Sequence, residues 1–225
     1  MNTPSISSAA FTYLPYLAVF GFLGAWMYRI GILRNNHGPR VGGISAASEG
    51  ALVVGFVTIF LGHVATTLAP GAMRALLADI ERVAVIESAG LVGALLFSWG
   101  IFARLRQRWL AMRAGVPEQE PRIMILALAL ITSFSGVFLT ISFRWITAWY
   151  AYISAPYVRS LIVLEPQTAS MVASPMAVKL HALLFIMLLA AWPMAGLPWE
   201  ELFPFKGVSK RIAEAALAAE SENHK

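Results

Sequence analysis

Runs of about 20 mostly apolar residues, separated by short polar stretches, set the frame of this sequence. Five are found: Tyr13–Leu33, Ala46–Pro70, Val83–Ala103, Ile123–Phe143 and Met176–Gly196. A helix rises about 1.5 Å per residue, so each run is long enough to cross a hydrocarbon core about 30 Å thick. Pro70 and Gly71 close the second run and Pro175 opens the fifth, as expected at helix ends. Between the fourth and fifth lies Arg144–Pro175, which carries Trp145, Trp149, Tyr150, Tyr152 and Tyr157. Aromatics at that density suit the headgroup level, so this segment is expected to lie in the interface. The predicted fold class is all-α: a polytopic membrane bundle of five transmembrane helices, without an internal repeat.

Composition supports that frame. Of 225 residues, 58% are hydrophobic and only 13% charged, where a soluble domain carries about a quarter charged. Residues 1–204 are expected to form one membrane domain, which leaves no room for a separate soluble enzyme. Residues 205–225 are expected to form a cytoplasmic tail. In it Val208–Lys225 mixes Lys, Arg, Glu and Ala with Ile212 and Leu217, the pattern of a short amphipathic helix. Met1–Phe11 carries no Lys or Arg and so lacks the basic region of a signal peptide. The first apolar run is therefore expected to stay in place as a helix.

The formal charge of +5 reflects topology rather than nucleic-acid binding. Arg29, Arg34 and Arg40 follow the first run. Arg104, Arg106, Arg108, Arg113 and Arg122 follow the third, as a cationic loop, and Lys206, Lys210, Arg211 and Lys225 occupy the tail. The opposite side has only Arg74, Arg82, Arg144, Arg159 and Lys179. Cations concentrate on the cytoplasmic side of membrane proteins. The N-terminus is therefore expected outside and the C-terminus in the cytoplasm, with the chain in a prokaryotic cytoplasmic (inner) membrane as a multi-pass protein.

Cysteine is absent. That excludes iron–sulfur clusters, thiolate-bound zinc, disulfides and a covalently attached c-type heme. Histidine is the remaining ligand for a redox centre. His37 and His224 fall in polar segments, whereas His63 and His181 fall inside apolar runs, where an ionisable residue is costly and points to function. His63 lies seven residues before Pro70 and His181 five after Met176. With antiparallel runs, both rings sit about 8–10 Å below the same surface. Two imidazoles at one depth on different helices can bind one heme iron from opposite faces, giving an electron carrier closed to dioxygen. Gly62, Ala65 and Ala182 flank them, and Gly55, two turns before His63, adds room for a macrocycle. Two other readings stay open: histidines hydrogen-bonded across helix interfaces in a heme-free scaffold, or a proton relay in a transporter. Against transport, Glu87 stands alone among acids in the runs, near an end.

Phe60-Leu-Gly-His63 with Leu68-Ala-Pro70, and Lys179-Leu-His181 at the start of the last run, resemble the cytochrome b (gamma) subunit of respiratory nitrate reductases. The likeness extends from about Leu14 to Arg211 and reaches related cytochrome b subunits of sulfur-metabolism and heterodisulfide-type electron-transfer complexes. It implies that His63 and His181 are the iron ligands of a heme b near the outer face. It also implies quinol as substrate, and iron–sulfur and catalytic subunits as partners that hold the terminal-substrate site. The family's second histidine pair, for an inner heme, falls here on Val53 and Trp199, neither of which ligates iron. One heme is therefore expected. The family's quinol-site cation aligns with Val83, so the neighbouring Arg82 and Glu87, one turn on, are the expected quinol residues. Arg144 and Lys179, near the same surface, are expected in the heme environment beside its propionates, or as snorkelling helix-end cations.

Overall fold

The computed structural model describes residues 6–32, 43–117 and 119–195, with no strand among them. In chain order it has α1 (Ile6–Ile32), α2 (Ala46–Leu68), a short α3 (Pro70–Leu76), α4 (Ile80–Arg113) and α5 (Glu120–Ser142). Then follow α6 (Ile146–Trp149), a π turn (Tyr150–Ser154), α7 (Ala155–Ile162), α8 (Ala169–Ala173) and α9 (Met176–Ala191), prolonged by a 3-10 turn, Trp192–Ala195. Five of these helices, α1, α2, α4, α5 and α9 with its extension, are long and apolar enough to cross a bilayer. They form an all-α bundle. Its lipid-facing exterior is apolar: Phe20 is 71% and Ile141 69% exposed, a pattern stable only with hydrocarbon as solvent.

Local signals explain where the helices start. Ser45 caps α2, its hydroxyl accepting from the Ser48 N–H at 3.2 Å. Asp79 caps α4, its Oδ1 accepting from the Glu81 and Arg82 N–H groups at 2.9 and 3.2 Å. Helix α2 packs on α4, α4 on α5, α5 on α9 and α9 on α1. Small residues bring α2 and α4 closest. A Cβ on Gly93 would meet the Thr58 side chain at 2.8 Å, and one on Gly100 would meet Leu52 Cβ at 2.5 Å. Leu52, Ile101, Leu126 and Ala129 are buried together with Trp192, and Phe22 of α1 packs against them.

The five expected runs each correspond to one long helix, but two of them end differently. Pro70 does not merely end the second span; it opens α3 after a break at Ala69. The third span continues well past Ala103, because no Gly or Pro interrupts it until Gly115 ends α4 at φ +81°. Arg104, Arg106, Arg108 and Arg113 thus lie on the last turns of α4, not in a loop, and Arg122 lies in the first turn of α5. Arg104 and Arg108, one turn apart, turn inward. Arg104 forms a 3.5 Å ion pair with Glu49, and Arg108 donates to Gln119 Oε1 at 2.9 Å. Glu49 also corrects the expectation that Glu87 is the sole acid in the spans: it lies buried in the first turn of α2. The tail from 205 on, with His37, Trp199 and His224, lies outside the described residues.

The segment after α5 is helical in pieces and folds over one end of the bundle. It begins at Trp145, whose left-handed φ of +65° turns the chain sharply out of α5. The Arg144 guanidinium stacks 5.2 Å from the Trp145 ring. Tyr157 donates to the Phe11 carbonyl at 2.7 Å and Tyr16 to the Leu161 carbonyl at 3.1 Å, tying the start of α1 to this end. Burial, with Tyr16 adding to it, holds the Tyr157 phenol well above its usual pKa, so its hydroxyl stays a donor.

Candidate functional site

His63 lies five residues before the last residue of α2, Leu68, and His181 five after the first of α9, Met176. The long helices alternate in direction, so each ring is about 7.5 Å along its helix from the same end of the bundle. That end is the one covered by the Trp145–Ile162 segment. Between α2 and α9 there is no extended packing among the described residues. The two rings are thus brought to one depth by helices that are not a closely packed pair.

Each ring is fixed through Nδ1. In α2, His63 Nδ1 lies 2.9 Å from the carbonyl of Ile59, one turn earlier, so it carries the proton and donates. On α9, His181 Nδ1 lies 2.7 Å from Ser135 Oγ. The Ser135 hydroxyl hydrogen is directed to the Thr132 carbonyl at 2.7 Å, so toward the histidine Ser135 is the acceptor and His181 Nδ1–H the donor. With Nδ1 as the donor, each ring keeps a lone pair on Nε2. An outer partner on one ring nitrogen is what fixes a metal-ligating tautomer. Gly136 makes room for the second ring, since a Cβ there would lie 3.2 Å from His181 Cε1.

His63 is exposed within a lipid-crossing helix, and the Trp145–Ile162 segment covers one edge of it. The Tyr150 ring sits 5.1 Å from the His63 ring at 60°. Its hydroxyl pairs with Thr67 Oγ1 at 3.0 Å. Burial raises the Tyr150 pKa, against a smaller opposing effect of the Thr67 bond, so the phenol is neutral. The same segment is pinned to α4 by Glu87, whose Oε1 accepts from the Thr147 N–H at 3.0 Å. Arg82 is exposed in the first turn of α4, while its neighbour Val83 is buried with Leu77 and Ala151.

Not every expected residue converges on the two rings. Eight residues at 3.6 per turn leave Gly55 about 80° round α2 from His63. A Cβ on Gly55 would collide with Phe97 N and lie 2.5 Å from Gly93 O, so its room is taken by α4, not by a ligand. Gly62, in contrast, has open space beside it. Lys179 is half-buried and, two residues from His181, leaves α9 on a different face. Arg144 is engaged with Trp145. Val53 is half-buried in α2, ten residues before His63. Ser135, Gly136, Thr67 and Tyr150 are the site residues that sequence reasoning missed. A serine or glycine in an apolar run gives no sign of which neighbour it faces, and Tyr150 was legible only as one of several interfacial aromatics.

Among the described residues no three His, Cys, Asp or Glu side chains gather around one point. Two imidazole Nε2 atoms are donors of a kind that can bind a transition metal. No curated protein matches the sequence. The family model described as nitrate reductase gamma subunit matches residues 7–205, and the chain accordingly belongs to that family, as a multi-pass membrane electron-transfer subunit of a larger complex.

Proposed function

We propose that the chain holds one b-type heme between His63 and His181 and serves as the quinol-oxidising subunit of its complex, handing electrons to a partner oxidoreductase through iron–sulfur and catalytic subunits. The observation that carries this reading is the matched pair of histidines: two imidazoles at one depth, each donating through Nδ1, on helices that share no extended packing. An iron porphyrin held by the two imidazoles would supply a one-electron couple. The protein's part is to hold the two rings. Ile59 and Ser135 fix their tautomers and raise their basicity, and Gly136 admits the His181 ring. Ser135→Ala removes the acceptor of the His181 Nδ1–H and is expected to weaken heme retention about 10–100-fold, read by heme loss to apomyoglobin. Retention equal to that of the unmodified protein would remove Ser135 from the site.

For quinol we assign Arg82 and Glu87. Arg82 is exposed at the same end of the bundle as the histidines and can hold a headgroup oxygen. Glu87 keeps one carboxylate oxygen on the Thr147 N–H, and its second oxygen is the acceptor for a quinol proton. Both lie on the side where α1 begins, the outer side by the distribution of cations. A short-chain quinol added to the oxidised complex is expected to bring up reduced b-type bands; a complex that stays oxidised contradicts the reading. The double variant Arg82→Ala, Glu87→Gln is expected to keep its heme and to slow that reduction roughly 10–100-fold. An unchanged rate moves the quinol site elsewhere.

A further inference from the structure

His63 and His181 are oriented by different means. His181 donates to a hydroxyl on another helix, which fixes both its tautomer and its plane. His63 donates only to a carbonyl of its own helix, one turn back. That bond sets the tautomer but leaves the exposed ring without a hydrogen bond from any second element among the described residues. What reaches it is Tyr150. Its ring packs edge-on against the imidazole. Its hydroxyl is held by Thr67, one turn beyond His63 and buried on the same face of α2. Tyr150 thus spans the two α2 positions and cannot slide along the helix without losing one contact. Its backbone is the first residue of the π turn, a geometry frequent at functional sites. Two further ties hold the segment in place: Glu87 on Thr147 before the turn, and Tyr157 on Phe11 after it.

We propose that Tyr150 is a positioning residue that sets the plane of the His63 imidazole, and with it the angle between the two imidazole planes. The inference rests on the heme reading above. In a ferric bis-imidazole site that angle governs the low-field paramagnetic resonance signal, and it shifts the midpoint potential. A residue that merely fills space would leave both unchanged as long as the heme stays bound.

The test compares Tyr150→Leu, Tyr150→Phe and Thr67→Val in the assembled complex, by heme content, resonance spectrum and potentiometric titration. Tyr150→Leu, which loses the ring edge, is expected to retain heme with its low-field signal shifted or spread over several values and its midpoint potential moved. Tyr150→Phe and Thr67→Val each break the hydroxyl pair alone, and are expected to give the same smaller shift as each other. The double variant should shift no further than either. Signals and potentials identical to the unmodified complex in all three variants overturn the proposal. Should Tyr150→Leu not accumulate, the Phe and Val variants decide it by the same criterion. An unmodified complex without heme refutes the heme reading itself; one with heme and insensitive variants refutes only the role of Tyr150.

Discussion

His63→Ala and His181→Ala should each give an assembled complex with almost no b-type heme, measured as pyridine hemochrome per chain. The expected effect is near-complete because the site is built from two donors on helices that share no extended packing. With one imidazole removed, a single ligand would be left to hold the heme, and the described residues contain no third histidine. The two variants should match one another, although His63 is exposed and His181 half-buried, since each would remove one of the two proposed ligands. A scaffold role predicts otherwise: hydrogen bonds between membrane helices contribute only about 0.6 kcal/mol on average, so either alanine would then leave the visible spectrum unchanged. Unmodified heme content in both variants would sink the assignment.

The second large effect concerns the frame that holds α2. Gly55→Ala adds one methyl group where Phe97 N and Gly93 O of α4 already stand, the latter 2.5 Å away. Both neighbours are backbone, so neither can swing aside as a side chain could, and the helices must separate. Overpacking of this kind costs about 1–3 kcal/mol, and a backbone obstacle places it at the upper end. A marked fall in the thermal unfolding midpoint in detergent is expected, together with poor accumulation in the membrane. Gly90→Ala is the control, since a Cβ there meets nothing within 4 Å; its midpoint should stay close to that of the unmodified protein. Equal stability of the two variants would refute the close crossing of α2 and α4.

The frame of this protein was legible in its sequence for a simple reason. An apolar run of bilayer length is a signal that needs no tertiary information, and five such runs became five long helices. The fixed rise of a helix made the shared depth of His63 and His181 legible as well, since both count from helix ends marked by Pro70 and Pro175. What was not legible depends on rotation and on neighbours. Gly55 read as lining the histidine face, yet it sits far enough round α2 to serve α4. The arginines after Ala103 read as a solvated loop, because hydropathy sees charge and cannot see that α4 continues and turns Arg104 toward Glu49. Ser135 and Tyr150 acquire meaning only once α5 is set beside α9 and the interfacial segment is folded over α2. No spacing along the chain encodes either contact.

The central claim, an iron porphyrin held by His63 and His181, is tested most directly by counting heme. The measurement is a reduced-minus-oxidised spectrum and a pyridine hemochrome assay on the complex, purified from cells supplied with heme and expressing all its subunits. One b-type heme per copy of this chain is expected. A complex that is fully assembled yet carries none would contradict it.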